Sequence, residues 1–367
     1  MTTKPSLNPT APGLPTRIGN SLKFWGFRFI SWLAGHVPVW FSYWVGGRVA
    51  DFIYTFWHEH SGNAVSNMAR VLGPTATSAQ VRRAARLSFQ NYILVLVDFV
   101  RIPYLKVEAI EREMQASGME YLEAARARGK GVILVACHSG NWDFGGAVLS
   151  RYSLPITAVA DMFEPPRLNE YVIAMRKQMG VNTIPADPAA LRKLFEALRR
   201  NEIVMLFVDR PVPGDGVAVQ FFGETAWVPP GPAAIALKTG ATIVPGYFIR
   251  QPNGRSWRGA FDPPIPVTPT GNKERDTATV TQAIMDYMEA VIRRSPVQWY
   301  MFRPMWERVT LGSRWQRGPA LANLSMGISV DPPIIEDWAS GGAPGDAPVP
   351  TPPERVNSEQ LTVDGGR

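Results

Sequence analysis

One stretch of the sequence, residues 131–146 (GVILVACHSGNWDFGG), constrains the fold more than any other. Its first half is a continuous apolar run, which is typical of a strand buried on both faces of a parallel sheet. His138 follows that run, and Asp143 comes five residues later, in the first turn of a predicted helix. In open α/β sheets, functional groups gather at the carboxyl ends of the strands. The stretch therefore predicts an imidazole and a carboxylate at one edge of a sheet. These are two of the groups that a general base needs.

Helix and strand patterns alternate along the chain on both sides of this stretch. The alternation predicts an α/β fold with a mostly parallel central sheet flanked by helices. The predicted strands are 132–137, 156–160, 181–186, 203–209, 217–222, 241–250, 256–261 and 299–302, and the predicted helices are 78–101, 119–128, 166–179, 188–200 (capped by Asp187), 231–239 and 277–294.

The two ends of the chain differ in composition from the middle. Residues 1–21 are rich in Pro, Thr and Ser and do not have the form of a signal peptide, and residues 319–367 are rich in Pro, Gly and acidic side chains. We predict that both are disordered, with an aromatic helical element at 22–60 and the main α/β domain at 61–318. A single cysteine excludes an internal disulfide framework, and with only four histidines it argues against a metal site.

The charge of the chain is unevenly spread. The whole sequence carries +7, but the segment from residue 319 onward carries −5, which leaves +12 on the rest. A basic body predicts a polyanionic partner, either nucleic acid or an anionic membrane surface. Nucleic-acid binding would require basic residues interleaved with exposed aromatics on one surface. Because the aromatics concentrate in an apolar N-terminal stretch instead, we expect a membrane and no nucleic acid.

Residues 22–57 contain thirteen aromatic side chains, and the uncharged run 29–47 is interrupted by His36 and Pro38. A spanning helix is usually more apolar and less broken than this run. We interpret the segment as two helices, broken near residues 35–38, that lie in the membrane interface. Two alternatives stay open: an aromatic helical pair packed on the domain's own core, and a single spanning helix.

A second buried strand ends in Asp209 and Arg210, and Arg176 lies late in the helix between the two strands. An imidazole held by a carboxylate can take a proton from a hydroxyl group. No G-x-S-x-G elbow is present, and Cys137 should point away from His138, into the core. These observations favour direct attack of an acceptor hydroxyl on an activated acyl group. A purely structural His–Asp pair is the alternative.

Three segments, taken in order, resemble a known superfamily. HSGNWD (138–143) resembles the H-x4-D/E motif of the lysophospholipid acyltransferases. FVDRPVPGDGVAVQFFGETAWVPPGPAAIALKTGATIVP (207–245) and QWYMFRPMW (298–306) are similar to segments of the branch that contains the lipid A late acyltransferases and the phosphatidylinositol mannoside acyltransferases. The resemblance covers residues 20–310. It implies the fold of that superfamily and an aromatic N-terminal membrane-docking element.

The resemblance also implies roles for individual residues. His138 would be the general base, Asp143 its motif carboxylate, and Asp209 a carboxylate that supports the histidine. Arg176 and Arg210 would bind charged groups of the substrates, with a plain helix-surface position as the alternative for Arg176. The further substrate-binding candidates are Asn141, Trp142 and Glu224.

Three finer expectations accompany these roles. Glu224 is either a substrate contact or a turn residue. Residues 221–223 (FFG) either line an acyl channel or pack in the core. Backbone N–H groups near residues 141–143 can form an oxyanion hole.

The resemblance thus implies a membrane-associated acyltransferase that needs no cofactor. Its donor would be acyl-CoA or acyl-carrier protein, and its acceptor a hydroxyl group of a lipid, for which the branch suggests a glycolipid. We expect it at the cytoplasmic face of the inner membrane, held peripherally or by a single N-terminal anchor. The competing hypothesis is a non-catalytic protein of the same fold that binds membrane lipid.

Overall fold

The computed structural model describes residues 14–152, 154–212, 216–252, 254 and 256–306. The tail at 319–367 and residues 1–13, both predicted to be disordered, lie outside the described residues. The helices are α1 Leu14–His36, α2 Val39–Phe56, α3 His58–Leu72, α4 Ser78–Arg101, α5 Val107–Glu113, α6 Met119–Ala127, α7 Trp142–Arg151, α8 Pro166–Gln178, α9 Ala190–Arg199, α10 Gly231–Thr239 and α11 Lys273–Arg294. The strands are β1 Met114–Ser117, β2 Val132–Ala136, β3 Ile156–Ala160, β4 Val181–Pro185, β5 Ile203–Phe207, β6 Val217–Phe221, β7 Glu224–Val228, β8 Thr242–Arg250 and β9 Trp257–Phe261.

Seven strands form the central sheet, in the order β1-β9-β8-β2-β5-β3-β4, which places β2 in the middle. β2 runs parallel to both of its neighbours, β5 and β8, and the β5–β3 and β3–β4 pairs are parallel as well. β8 and β9 pair antiparallel. The predicted α/β fold with a mostly parallel central sheet is confirmed.

Alternate side chains of β2 enter two cores, one on each face of the sheet. Ile133 and Val135 pack with residues of α3, α4, α9, α10 and α11. Val132 and Leu134 pack with residues of α1, α6, α7 and α8. All five residues of the strand are buried. Burial on both faces explains why the strand is a continuous apolar run rather than an alternating one.

The aromatic N-terminal segment forms two helices, α1 and α2, and the predicted break near residues 35–38 is confirmed. α1 begins at Leu14, so residues 14–21, which were included in the predicted disordered segment 1–21, are helical instead. Pro15 does not prevent this, because proline is tolerated in the first turn of a helix. The pair packs on α4, where the buried Ser31 hydroxyl donates to the carbonyl of Val100. The predicted boundary at residue 60 falls inside α3. Among the described helices, none combines the length and the apolar character needed to cross a membrane.

A two-stranded hairpin, β6–β7, lies apart from the central sheet. Phe222 and Gly223 join its strands with φ angles of 52° and 76°, and positive φ at both positions is what a two-residue turn of type I′ requires. The sequence predicted β6 but not β7. Phe221 and Phe222 are buried beside Trp299 and Trp306, so packing is the correct interpretation of the FFG segment.

Two predicted elements are wrong in detail. α9 begins at Ala190 rather than at residue 188, because the Asp187 carboxylate accepts from the Ala189 N–H in a turn that precedes the helix. Residues 299–302 do not form a strand. They make a single bridge, between Trp299 and Ser139, and their remaining backbone groups bond elsewhere; the Trp299 carbonyl, for example, accepts from the Ser88 hydroxyl.

Candidate active site

His138 and Asp209 meet because β2 and β5 are parallel neighbours in register. Ala136 pairs with Phe207, so the residues two positions beyond each strand end lie side by side. His138 Nδ1 lies 2.7 Å from Asp209 Oδ1, and the His138 backbone N–H donates to Oδ2 at 2.9 Å. The indole N–H of Trp299 donates to the same Oδ2 at 2.8 Å. The carboxylate is thus held by three donors.

Asp209 is fully buried and nevertheless remains ionised. Burial pushes the pKa of its carboxyl group up, but the charge and the hydrogen bonds of His138, together with the bond from Trp299, lower it below the ordinary value. The ionised carboxylate accepts the proton on His138 Nδ1, which leaves Nε2 as the ring nitrogen that can accept a proton. The His138 side chain is 20% exposed, and its ring stacks on Phe207.

Asp143 does not hold His138, contrary to the simplest interpretation of the motif. Its Oδ1 accepts from Arg176 Nε at 2.9 Å, and these side chains are only 10% and 15% exposed. Arg176 therefore ties α8 to the first turn of α7, and the alternative of a plain surface position is wrong for it. Spacing within the motif could not reveal a partner 33 residues away.

Asn141 caps α7 and does not contact the cleft. It is buried, its Oδ1 accepts from the Phe144 N–H at 3.1 Å, and its Nδ2 donates to Asp98 Oδ2 at 3.2 Å. The structure gives no support for Asn141 as a substrate contact, because its Oδ1 starts the helix, its Nδ2 bonds to Asp98, and it lies outside the cleft lining. Its backbone N–H is also taken, by the carbonyl of Phe248. The N–H groups of Trp142 and Asp143 remain as first-turn donors without an intrahelical acceptor.

Asp98, which receives the Asn141 amide, belongs to a buried polar network that sequence reasoning missed. Arg250 donates to Asp98 Oδ2 at 2.7 Å, and the Tyr43 hydroxyl donates to Oδ1 at 2.5 Å. The network joins α2, α4 and the end of β8 to the start of α7. Nothing local in the sequence signals it, since its members lie up to 207 positions apart.

The remaining predicted residues separate into two groups. Trp142 and Arg210 line the same cleft as His138; Trp142 lies edge-on to the imidazole, and Arg210 pairs with Asp161 at 2.7 Å. Glu224 lies outside the cleft lining and pairs with the buried Arg70 at 2.7 Å. The prediction that Glu224 binds substrate is not supported by this position, because β7 turns its side chain toward α3.

The cleft has a volume of about 520 Å³ and runs along the carboxyl ends of β3, β4 and β5. One wall is apolar and includes Gly146, Ala158, Val181 and Met205. The part of the chain that the structure describes contains no group of three or more His, Cys, Asp or Glu side chains able to hold a metal ion. The site thus offers a carboxylate-held imidazole, two first-turn N–H donors and an apolar channel. Together these groups can move a proton and bind an anion beside an alkyl chain.

The sequence matches the family described as bacterial lipid A biosynthesis acyltransferase over residues 17–308. It is 32% identical to a phosphatidylinositol mannoside acyltransferase of Mycobacterium tuberculosis over 247 residues, which is 65% of this chain and 75% of that protein. A protein of the same name from Mycolicibacterium smegmatis is 30% identical over 245 residues, 65% of this chain and 77% of that protein. A lipid A biosynthesis acyltransferase of Haemophilus influenzae is 22% identical over 193 residues, 52% of this chain and 58% of that protein.

Proposed function

Because this chain belongs to the bacterial lipid A biosynthesis acyltransferase family and is therefore an acyltransferase, we propose that it moves a fatty acyl group from a thioester to a lipid hydroxyl, with His138 as the general base. The donor in this proposal is acyl-CoA or acyl-carrier protein. The observation that carries it is the hydrogen bond from His138 Nδ1 to the buried Asp209 carboxylate, which leaves Nε2 ready to accept a proton.

The proposed reaction proceeds by direct attack. His138 Nε2 takes the proton of the acceptor hydroxyl as its oxygen attacks the thioester carbonyl carbon. The first-turn N–H groups of Trp142 and Asp143 lie where the positive end of the helix dipole favours an oxyanion. When the tetrahedral intermediate collapses, the C–S bond breaks, and the departing thiolate recovers the proton from the imidazolium. The carboxylate of Asp209 stabilises that imidazolium throughout.

Association with a membrane is the second part of the proposal. Of the 23 large hydrophobic side chains that are exposed among the described residues, sixteen lie between residues 18 and 57, on α1, α2 and the residue that follows them. Trp25, Trp40 and Phe52 are each more than half exposed. An apolar aromatic face of this size suits the interface of a bilayer, with the protein held peripherally at the cytoplasmic face of the cell membrane. The positive charge of the body favours an anionic surface.

For the acceptor we propose a glycolipid. The support is that the relatives with 30–32% identity are phosphatidylinositol mannoside acyltransferases, whereas identity to the lipid A biosynthesis acyltransferase is 22%.

The test is identification of the product. Purified protein receives labelled acyl-CoA or acyl-carrier protein together with a total lipid extract of the native host, and lipid mass spectrometry detects new acylated species. We expect one class of acylated glycolipid, whose mass identifies the acceptor, and no product with His138→Ala. If the wild-type protein makes no acylated lipid but floats with liposomes, the lipid-binding hypothesis replaces the catalytic one.

A further inference from the structure

Helix α3 presents a row of polar side chains to the segment 301–305. Asn67 donates from Nδ2 to the carbonyls of Met301 and Arg303, both at 2.8 Å, and one turn earlier Asn63 donates to the carbonyl of Phe302 at 3.1 Å. His60 is the next residue on that face, since positions 60, 63 and 67 follow the helical repeat. Residues 301–303 line the cleft, and so does His60.

His60 breaks the pattern of this row. Its Nδ1 is buried and has no hydrogen-bond partner anywhere in the described residues. A buried, unpaired nitrogen costs free energy unless a ligand or ordered water satisfies it. The ring packs on the indole of Trp57 at a centroid distance of 4.0 Å, and His60 itself lines the cleft.

Two more donors, Tyr92 and Arg303, line the same cleft as His60. Tyr92 packs its ring against Phe302 with a centroid distance of 5.4 Å. The guanidinium of Arg303 forms no ion pair with any residue that the structure describes, whereas its backbone carbonyl is held by Asn67. By contrast, the guanidinium of Arg210, near Tyr92, is already paired with a carboxylate.

From these contacts we propose that His60, Tyr92 and Arg303 form a phosphate-binding subsite of the cleft. An imidazole N–H, a phenol O–H and a guanidinium all donate. The two carboxylates of the cleft lining, Asp143 and Asp161, are each paired with another arginine. A phosphate ester, with its several acceptor oxygens, is the anion that such a set of donors matches. The subsite deepens the proposed function and rests on it.

The position of the subsite determines which phosphate groups can reach it. Trp57, which packs on His60, is 53% exposed and ends the apolar face of α1 and α2. The subsite therefore lies at head-group level when that face docks on a bilayer, in the same cleft as His138. Either the phosphodiester of the lipid acceptor or the phosphate of the donor's pantetheine arm can occupy it.

The test measures binding without turnover. Four water-soluble probes are titrated into the full-length protein and followed by NMR: glycerophosphoinositol against inositol for the acceptor, and phosphopantetheine against pantetheine for the donor. We expect at least one phosphorylated probe to bind about tenfold more tightly than its phosphate-free counterpart. Arg303→Gln and His60→Phe should abolish that preference. The probe that shows it identifies the source of the phosphate.

Matched controls separate the subsite from general charge. Arg199→Gln changes an exposed arginine on α9, and His58→Phe changes an exposed histidine on α3; both lie outside the cleft lining and should keep the preference. Equal binding of phosphorylated and phosphate-free probes by the wild-type protein overturns the proposal, and so does a preference that survives Arg303→Gln.

Kinetics distinguish this proposal from the proposed function. Where acyl transfer is measurable, Arg303→Gln should raise the KM of the phosphate-bearing substrate about tenfold or more and leave kcat within about threefold. An unchanged KM for both substrates rejects the subsite alone. A protein that shows the phosphate preference but forms no acylated lipid rejects the proposed function and keeps the subsite.

Discussion

At the scale of single residues, the site depends on which nitrogen of His138 carries the proton. The ionised carboxylate of Asp209 accepts a hydrogen bond from the Nδ1–H of His138, so the free lone pair of the ring lies on Nε2. An asparagine at position 209 would instead present an amide N–H₂ to Nδ1 and move the proton to Nε2, where it blocks base catalysis.

We therefore expect Asp209→Asn to lower kcat about a thousandfold with little change in KM. Steady-state kinetics of acyl transfer measure both constants. The control is Asp187→Asn, which alters a carboxylate outside the cleft and should stay within about threefold of the wild type. A kcat for Asp209→Asn within tenfold of the wild type would show that the carboxylate does not set the tautomer.

The lowered pKa of Asp209 also predicts a pH dependence of stability. Because the folded protein binds this proton less readily than the unfolded chain, the stabilisation is fully present above the ordinary value of 3.8 and is lost as the pH falls through the folded pKa. The difference in free energy of unfolding between the wild type and Asp209→Asn should shrink as the pH falls below about 4, the region under the ordinary pKa of 3.8. Urea unfolding at several pH values measures it, and a difference that grows on acidification contradicts the assignment.

At the scale of elements, the turn between β2 and α7 positions His138 and the first-turn N–H groups of α7. Gly140 has a φ of 60°, and a Cβ there would overlap the carbonyl oxygen of Phe248, which also accepts from the Asn141 N–H. Gly129 has a similar φ of 68° but open space around it. Alanine at these two positions therefore distinguishes two contributions to the loss of stability: the strain of a left-handed backbone, and the steric clash that occurs at position 140 alone.

We expect Gly129→Ala to cost about 1 kcal/mol of unfolding free energy, from backbone strain alone. Gly140→Ala should cost about 3 kcal/mol or more and reduce kcat, because the turn must move. Chemical denaturation and the acyl-transfer assay measure these effects. Equal destabilisation by the two variants would contradict the close approach of β8 to the turn.

Elements with strong local signals were predictable from the sequence. β3 and α10 have their predicted bounds, since β-branched runs and a Gly-Pro start mark them. β7 was missed because ETAWV, with no strong apolar run, becomes a strand through pairing with β6. The 299–302 segment has the aromatic composition of a strand, but its backbone bonds mainly to side chains of other elements.

The residues of the site could be predicted from the sequence, but most of their hydrogen-bond partners could not. His138 and Asp209 end two buried strands, which is a local signal, and parallel pairing brings them together. Asp143 could be placed in the first turn of a helix, but its bond to Arg176 depends on how α8 packs. The unpaired nitrogen of His60 also follows from tertiary packing, of α3 on residues 301–305.

At the scale of the whole molecule, the aromatic face of α1 and α2 should decide membrane binding. We expect the double variant Trp25→Ser and Trp40→Ser to weaken binding to anionic liposomes at least about tenfold, because each indole gains free energy at the interface. Liposome flotation measures the bound fraction. Trp227→Ser, which removes an exposed indole on β7, is the control. Equal binding by all three proteins would show that this face does not hold the protein on the membrane.

The claim that His138 is the general base is tested most directly by a single-turnover rate. His138→Gln and the wild type are saturated with donor and acceptor, so that the observed rate constant reports acyl transfer itself rather than binding. If His138 is the general base, the rate constant of the variant falls at least about a hundredfold, the range that a positioned base contributes. A rate within about threefold of the wild type would show that His138 is structural and that another group takes the proton.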